Sequence, residues 1–193
     1  MNYWYPFEKE LILASRSPRR TQILSMAGVP HRVHPSSVEE TSMEGRPEDI
    51  VCHWATMKAR DVAGTYPDQP VLGADTMVFE DGILLGKPQD ENDAFNMVKR
   101  LSGTWHTVFG GVALIWHSRG LFFSFAEATR VKFRTLSDTE IKAYVRSGEP
   151  MDKAGAYGIQ GLGCVLVDRV EGSYFNVMGL PVAQFLHRLR ESL

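Results

Sequence analysis

The stretch that most constrains the fold is residues 11–20, LILASRSPRR. Three consecutive aliphatic residues, Leu11 to Leu13, are typical of a short buried strand. Ser17 fits the N-cap position of a helix, and Pro18 fits the first helical position, where its missing N–H leaves no hydrogen bond unmade. The stretch therefore predicts a strand, a tight loop and a helix in direct succession.

The start of this predicted helix carries an unusual charge. Arg19 and Arg20 lie in its first turn, where a cation opposes the helix dipole. A bound anion would reverse that penalty, because free N–H groups, the hydroxyls of Ser15 and Ser17 and two guanidinium groups all favour phosphate. A plain helix start with two solvated arginines is the alternative interpretation.

Strand and helix patterns alternate along the rest of the chain. Strands are predicted over residues 31–34, 71–79, 107–116, 121–133 and 164–170, and helices over residues 47–66, 90–101, 137–148 and from Pro181 onward. Residues 35–49 and the Gly-rich residues 150–163 are predicted as loops, and Asp81-Gly82 as a hairpin turn. This order predicts an α/β fold, which we assign to a single domain over residues 1–193.

Composition excludes several classes of protein. A net charge of −2 gives no general attraction to nucleic acid or to an anionic membrane. Residues 1–10 lack the basic start and apolar run of a signal peptide, and no apolar run approaches the roughly 20 residues of a transmembrane helix. Cys52 and Cys164 make no disulfide framework. We therefore expect a cytoplasmic protein that binds neither nucleic acid nor membrane.

Charged residues in apolar surroundings are the candidates for chemistry. Lys58 interrupts the apolar stripe of one predicted helix, Asp75 interrupts an apolar strand, and Lys87 follows the predicted hairpin. Cations for phosphate and carboxylates for Mg²⁺ or water are the parts of phosphoryl chemistry. There is no P-loop motif and no histidine cluster with metal-ligand spacing. A phosphate-handling enzyme is indicated; the alternatives are a structural Asp75 and a Lys58 that extends into solvent.

Several short motifs together resemble those of the Maf family. In chain order they are SRSPRR at 15–20, the pair Glu39-Glu40, Lys58 in a helix, GADT at 73–76, GKP at 86–88, LSG at 101–103 and GEPMDKAGAYGIQG at 148–161. The resemblance covers about Leu11 to Pro181. It implies the fold of the inosine-triphosphate pyrophosphatases, an elongated, twisted, mixed sheet flanked by helices, with two lobes and a central cleft.

The resemblance also implies a function. Maf proteins are cytoplasmic, usually homodimeric hydrolases that need a divalent metal, Mg²⁺ or Mn²⁺, and split nucleoside triphosphates into the monophosphate and pyrophosphate. The pattern AYGIQG, here residues 156–161, belongs to the branch that acts on dTTP and UTP. The branch favouring 7-methyl-GTP has a charged residue in place of the glutamine. Arg16, Gly110 and Cys164 depart from the family pattern.

Residue roles follow from the same resemblance. Asp75 is implied as the base that activates water, and Glu40 and Asp75 as metal ligands. The implied triphosphate-binding residues are Ser15, Ser17, Arg19, Arg20, Lys58 and Lys87, and the implied specificity residues are Arg19, Thr76 and Gln160. The amide of Gln160 can pair with both the N3–H and a carbonyl oxygen of uracil or thymine.

Other functions stay open at this point. One is a regulator of septum formation or cell division that binds nucleotide or nucleic acid without turnover, as older descriptions of the family as septum-formation inhibitors suggest. A second is a structural nucleic-acid binder, which the acidic balance disfavours. A third is a 7-methyl-GTP pyrophosphatase of the same family.

Overall fold

A computed structural model describes residue 5 and residues 8–192 of the chain. The strands are β1 (Leu11–Leu13), β2 (His31–Val33), β3 (Val71–Glu80), β4 (Ile83–Leu85), β5 (Trp105–Trp116), β6 (Leu121–Phe133) and β7 (Val167–Glu171). The helices are α1 (Pro18–Met26), α2 (Pro47–Ala63), α3 (Glu91–Leu101), α4 (Asp138–Val145), α5 (Tyr174–Met178) and α6 (Val182–Glu191).

Within the described residues, the seven strands form one mixed sheet in the order β2-β1-β3-β5-β6-β7, with β4 paired to β3. β1 runs parallel to β2 and to β3, whereas β4 is antiparallel to β3 and β7 antiparallel to β6. The mixed sheet and its helices confirm the predicted α/β class. The prediction for residues 1–10 falls largely outside the described residues. In the part of the chain from residue 8 to residue 192, no helix is long and apolar enough to cross a bilayer.

Most predicted elements are confirmed where the signal is local. β1 runs into α1 with Pro18 at its start and Ser17 in the N-cap position. The predicted turn at Asp81-Gly82 has the positive φ angles, 46° and 80°, of a tight hairpin. Ser137 and Glu140 form a capping box at the start of α4.

Several predicted boundaries are wrong by two or three residues, and one helix was not expected. β5 begins at Trp105 instead of residue 107, and α4 ends at Val145 instead of residue 148. The strand predicted over residues 164–170 begins only at Val167, because Gly161–Val165 forms a 3₁₀ turn. A Cβ atom on Gly163 would collide with the carbonyl oxygen of Gly158, so the chain folds back on itself there instead of extending. α2 ends at Ala63, three residues before the predicted end at Tyr66. The short helix α5 was not predicted.

The chain divides into two compact units. The first consists of residues 1–75, 110–127 and 179–193, and the second of residues 76–109 and 128–178. The first unit contains the parallel strand pairs and the helices α1, α2 and α6. The second contains α3, α4 and α5 and a core that includes Val98, Phe133 and Tyr157. The expected lobes correspond to these units, and the expected cleft stays a prediction.

Within the first unit, the backbone of α2 packs directly on the sheet. A Cβ on Gly73 of β3 would collide with the carbonyl oxygen of Ala55, and a Cβ on Gly111 of β5 with that of Val51. Side chains two residues apart on a strand point to the same face. Asp75 lies two residues after Gly73, so its side chain also faces α2. A strand position facing the helix therefore carries a carboxylate.

We expect the substitution Gly73→Ala to lower the free energy of unfolding by about 3 kcal/mol, because the added methyl group must push backbone against backbone. The matched control is Gly64→Ala: Gly64 has φ −61° and open space around its Cβ position, so alanine there should be neutral or slightly stabilising. Urea unfolding of both variants measures the difference. Equal effects would mean that α2 can move away from β3 without loss.

Candidate active site

A lysine joins two carboxylates in the first unit. The Lys58 ammonium lies 2.8 Å from Oδ1 of Asp75 and 2.5 Å from Oε1 of Glu40. The side chains of Lys58 and Asp75 are 12% and 5% exposed, and that of Glu40 is 46% exposed. We call Glu40, Lys58 and Asp75 the Lys58 cluster. It has one cation for two anions, so it carries excess negative charge where Asp75 is buried.

Local structure brings these three side chains together. α2 touches β3 where Ala55 meets Gly73. Lys58 lies about one helical turn after Ala55, and Asp75 lies two strand residues after Gly73, so the two side chains meet. Both residues were predicted as unusual charges in apolar surroundings, and their direct contact excludes a Lys58 that only extends into solvent.

The loop that carries Glu40 is fastened to α2. The hydroxyl of Ser36 and the backbone N–H of Ser37 donate to Oδ2 of Asp61, at 2.9 and 2.7 Å. These bonds, the backbone one above all, lower the pKa of the Asp61 carboxyl. Because Asp61 is one turn after Lys58, the same helix anchors the loop and holds the lysine to which Glu40 pairs.

One oxygen of the Lys58 cluster has no partner in the described part of the chain. Oδ2 of Asp75 is buried, and no hydrogen-bond donor reaches it from the described residues. Buried carboxylate oxygens are rarely left this way. The orphaned oxygen is therefore a position in the first unit that calls for a partner from outside the chain, such as a water, a cation or a group of the substrate.

The start of α1 is built around Arg20. Its Nη1 donates to Oγ of Ser15 at 2.8 Å, and its Nε donates to the carbonyl oxygen of Gly179 at 2.9 Å. The backbone N–H of Ser17 also donates to Oγ of Ser15, at 3.2 Å. Arg20 is only 8% exposed, which contradicts the alternative of two solvated arginines. Two of its donors thus organise the loop, and the hydroxyl proton of Ser15 stays available to a ligand.

The electrostatics tie this helix start to the Lys58 cluster. Burial lowers the pKa of the Arg20 guanidinium, while the charges of Asp75 and Glu40 oppose that shift and the neighbouring Arg19 reinforces it. Arg19 itself is half-buried. The Ser17 side chain caps no N–H of α1, and the first turn holds no acidic residue. Positive charge and backbone donors therefore remain at the helix start, as an anion site requires.

The remaining predicted residues, Thr76, Lys87 and Gln160, belong to the second unit. Lys87 is exposed, and Thr76 and Gln160 are half-buried. Among the described residues, the side chains of Lys87 and Gln160 form no hydrogen bond or ion pair. That these three residues bind one substrate together with the residues of the first unit stays a prediction.

Elements that carry these three residues meet within the second unit. The backbone N–H of Gly155 donates to the carbonyl oxygen of Gly86 at 2.9 Å, directly before Lys87. A Cβ on Gly155 would lie 2.8 Å from a methyl carbon of Val78, and Thr76 shares the strand face of Val78. The Gly-rich segment that leads to Gln160 is therefore joined to both the strand of Thr76 and the loop of Lys87.

The Lys58 cluster fits a divalent cation only with help from a ligand. Among the residues that the structure describes, no three His, Cys, Asp or Glu side chains are grouped to hold a metal ion. The two carboxylates, one of which has an orphaned oxygen, are nevertheless the hard oxygen donors that Mg²⁺ uses when substrate phosphates and waters complete its shell. Glu40 and Asp75 thus fit a metal that arrives with a triphosphate.

Asp61, Tyr144 and Glu149 are not among the residues predicted from the sequence, although each fixes a segment that carries a predicted residue. Asp61 fastens the loop of Glu40, and Tyr144 and Glu149 accept backbone N–H groups on either side of Gln160. Asp61 lies on the polar side of α2 and looks like any solvated acid. Tyr144 falls in the apolar stripe of α4 and looks like core. Glu149 is part of the Gly-rich motif, and a carboxylate beside a run of glycines, with their many exposed N–H groups, was the signal that could have found it.

The fold and these side chains define a class: an α/β protein in which a parallel strand leads into a basic helix start, with a lysine and two carboxylates grouped in the same unit. Residues 10–192 match the family model for Maf, described as Maf-like protein, and the chain belongs to the Maf family. The predicted resemblance is confirmed.

The chain is similar to several curated relatives over nearly its whole length. It is 48% identical to the dTTP/UTP pyrophosphatase of Aquifex aeolicus, with 94% of each chain covered. It is 46% identical to that of Dictyoglomus turgidum, over 91% of this chain and 92% of the relative, and 46% identical to that of Bacillus mycoides, over 95% of each. Among solved structures, the Staphylococcus aureus Ham1 protein aligns with 14% identity and a TM-score of 0.44, covering 65% of this chain and 72% of that one.

We expect Lys58→Met to lower the free energy of unfolding by about 3 kcal/mol, because it leaves the buried Asp75 charge without its cation. Lys99→Met is the matched control, since Lys99 pairs with Asp138 at 3.1 Å while both side chains are more than half exposed; such pairs contribute less than about 1 kcal/mol. Chemical unfolding near neutral pH measures both. Adding Asp75→Asn to Lys58→Met should restore part of the loss, and an unrestored double variant would contradict a charge-based cause.

Proposed function

We propose that this chain is a nucleoside triphosphate pyrophosphatase that hydrolyses dTTP and UTP to the monophosphate and pyrophosphate, with its 193 residues acting as one domain. Membership of the Maf family and the names of the relatives support the substrate class. The observation that carries the chemistry is the Asp75 carboxylate, which has one oxygen held by Lys58 and the other buried and orphaned.

Phosphate recognition is assigned to the cations. Arg19, Arg20 and Lys58 lie in the first unit around the start of α1 and the Lys58 cluster, and Lys87 would contribute from the second unit. The hydroxyls of Ser15 and Ser17 add donors at the same helix start. A triphosphate would supply the negative charge that this helix start lacks.

Asp75 is assigned as the general base. With Oδ1 fixed by the Lys58 ammonium, Oδ2 is the oxygen left to accept a proton from water. The water oxygen forms a bond to the α-phosphorus, the bond between that phosphorus and the oxygen bridging to the β-phosphorus breaks, and pyrophosphate leaves with the electron pair. The proton moves to Oδ2 of Asp75, and Lys58 keeps the carboxylate oriented throughout.

Glu40 and Asp75 would hold the divalent cation, Mg²⁺ or Mn²⁺, together with phosphate oxygens. Oδ2 of Asp75 has two lone pairs, so one would face the cation while the other accepts the proton of the water. When bound, such a cation neutralises charge that develops on the phosphate oxygens during the displacement. Lys58 separates the two carboxylates in the described structure, so its ammonium must share them with any metal. Glu40 would therefore have two roles: it pairs with Lys58 and it helps to hold the metal.

Base recognition is assigned to Gln160, with Thr76 and Arg19 completing the pocket. Uracil and thymine present an N3–H donor between two carbonyl oxygens, and one glutamine amide can accept from the first and donate to the second. Cytosine has no proton on N3 and carries an exocyclic amine, so the same amide would be mispaired. A pocket built for the uracil edge should therefore reject CTP and the purine triphosphates.

We also infer that the enzyme acts in the cytoplasm as a homodimer and binds neither nucleic acid nor membrane. The free cysteines Cys52 and Cys164 support the cytoplasmic location. The net charge of −2 supports the absence of nucleic-acid and membrane binding. The family resemblance supports the dimer.

Pyrophosphate release from a panel of nucleoside triphosphates tests the proposed function. With Mg²⁺ or Mn²⁺ present, we expect dTTP and UTP to be hydrolysed and CTP, ATP, GTP and 7-methyl-GTP to be poor substrates. Preferred turnover of 7-methyl-GTP would assign the chain to the other branch. Absence of turnover with tight nucleotide binding would favour a non-catalytic regulator.

We expect Asp75→Asn to lower kcat for UTP by about 10²–10⁴-fold, because the amide keeps the size of the side chain but does not accept a proton. Asp68→Asn is the control, since Asp68 is an exposed acid of the first unit, and it should leave kcat unchanged. Steady-state pyrophosphate release measures both. Near-wild-type turnover of Asp75→Asn would assign Asp75 to structure.

We expect Gln160→Ala to reduce the preference for UTP over CTP, measured as the ratio of kcat/KM values, by about tenfold or more, because an unpaired polar edge of the base is left in the pocket. Gln160→Glu should also lower UTP turnover and narrow the gap to CTP. Gln69→Ala removes an amide from the first unit and should keep the wild-type ratio. If Gln160→Ala keeps that ratio too, Gln160 is an ordinary loop residue.

A further inference from the structure

We propose that Tyr144 and Glu149 are positioning residues for base specificity: they form a clamp that fixes the backbone on both sides of Gln160 and leaves its amide free to meet the base. The inference rests on the proposed function. All residues of the clamp and of the loop it holds lie in the second unit.

The clamp is a set of hydrogen bonds on either side of Gln160. After it, Oε2 of Glu149 accepts the backbone N–H of Leu162 at 2.8 Å, and Oε1 accepts that of Gly163 at 3.0 Å. Before it, the hydroxyl of Tyr144 accepts the backbone N–H of Gly158 at 3.2 Å. The same hydroxyl donates to Oε1 of Glu149 at 3.1 Å, which joins the two anchors.

Glu149 takes over a task that residue 160 would otherwise perform. Gln160 occupies the N-cap position of the 3₁₀ turn Gly161–Val165, but its side chain forms no capping bond. The N–H groups of the second and third residues of a helical turn are those that an N-cap side chain normally accepts. Glu149 accepts both, so the Gln160 amide is not consumed by its own loop.

The glycines of the loop show how closely the clamp is fitted. A Cβ on Gly161, which has φ +64°, would lie 2.6 Å from Oε2 of Glu149. A Cβ on Gly163 would collide with the carbonyl oxygen of Gly158 and come within 3.0 Å of the Tyr144 hydroxyl. No side chain larger than hydrogen fits at either position unless the groups of the clamp move, so the loop backbone packs directly against them.

The clamp itself stands on a rigid support. Tyr144 lies on α4 and is only 4% exposed. Burial raises the pKa of its phenol, so at neutral pH the hydroxyl is protonated and can donate to Glu149. The Lys153 ammonium donates to the carbonyl oxygen of Glu149 at 2.5 Å, which holds the backbone of the acid as well as its carboxylate.

Fixing the backbone fixes the directions from which the Gln160 amide can approach a base. Selection between uracil and cytosine depends on placing a donor and an acceptor at the right edge, which a mobile loop does poorly. Loss of the clamp should therefore weaken the distinction between bases while the groups that act on the phosphates stay in place.

The test compares Glu149→Gln and Tyr144→Phe with Glu91→Gln, a control at an exposed acid of α3 in the same unit. Glu149→Gln replaces a two-oxygen acceptor by an amide, and Tyr144→Phe removes the hydroxyl while keeping the ring. Hydrogen exchange of the peptide covering residues 158–165 should be about tenfold faster in both clamp variants and unchanged in the control. This readout does not depend on turnover.

Kinetics of pyrophosphate release then separate positioning from chemistry. We expect KM for UTP to rise about tenfold in both clamp variants, the UTP-to-CTP ratio of kcat/KM to fall, and kcat for UTP to stay within about threefold of wild type. Because the clamp acts through Gln160, adding Gln160→Ala to Glu149→Gln should lower the ratio little further than Gln160→Ala alone.

Two results overturn the inference in distinguishable ways. If the wild-type protein prefers UTP and the clamp variants exchange faster but keep its UTP-to-CTP ratio, the clamp is merely structural and the proposed function stands. If the wild-type protein and Glu91→Gln release no pyrophosphate from UTP or dTTP, the proposed function fails and the specificity role fails with it. Tyr144→Phe keeps the test decisive should Glu149→Gln not fold.

Discussion

The direct contact between the backbone of α2 and the sheet is the constraint on which the candidate site depends. Glycines at 73 and 111 let the helix lie against the strands with no side chain between them. At this short separation, the side chain of Lys58 on the helix reaches the carboxylate of Asp75 on the strand inside the protein. A buried carboxylate without a cation is strongly disfavoured, so the glycines make it possible for a charged Asp75 to stand inside the sheet.

Elements with local signals could be predicted from the sequence. The apolar run of β1, Pro18 at the start of α1 and the Ser137–Glu140 capping box each depend on residues within a few positions of one another. The turn at Gly161–Val165 could not be predicted, because it exists through contacts with Gly158 and Glu149. The five residues of α5 are too few to show a period.

The candidate site was predicted as a set of residues and not as an arrangement. Lys58 and Asp75 stand out because charges interrupt apolar patterns, and the structure places them in contact. Arg20 was predicted to bind substrate, and the structure adds two donors that bond to Ser15 and Gly179. Gly179 lies 159 residues further along the chain, and no local pattern reveals a partner at that distance.

In the Gly-rich loop, Glu149 and not Gln160 accepts the N–H groups at the start of the 3₁₀ turn, and this has a consequence for variation at position 160. Leu162 and Gly163 obtain their hydrogen bonds from Glu149, so the fold of the loop places no demand on the side chain at position 160. The side chain at this position can therefore change without loss of the hydrogen bonds that shape the turn. Under the function proposed above, a change of base preference at this position would leave the hydrogen bonds of the loop intact.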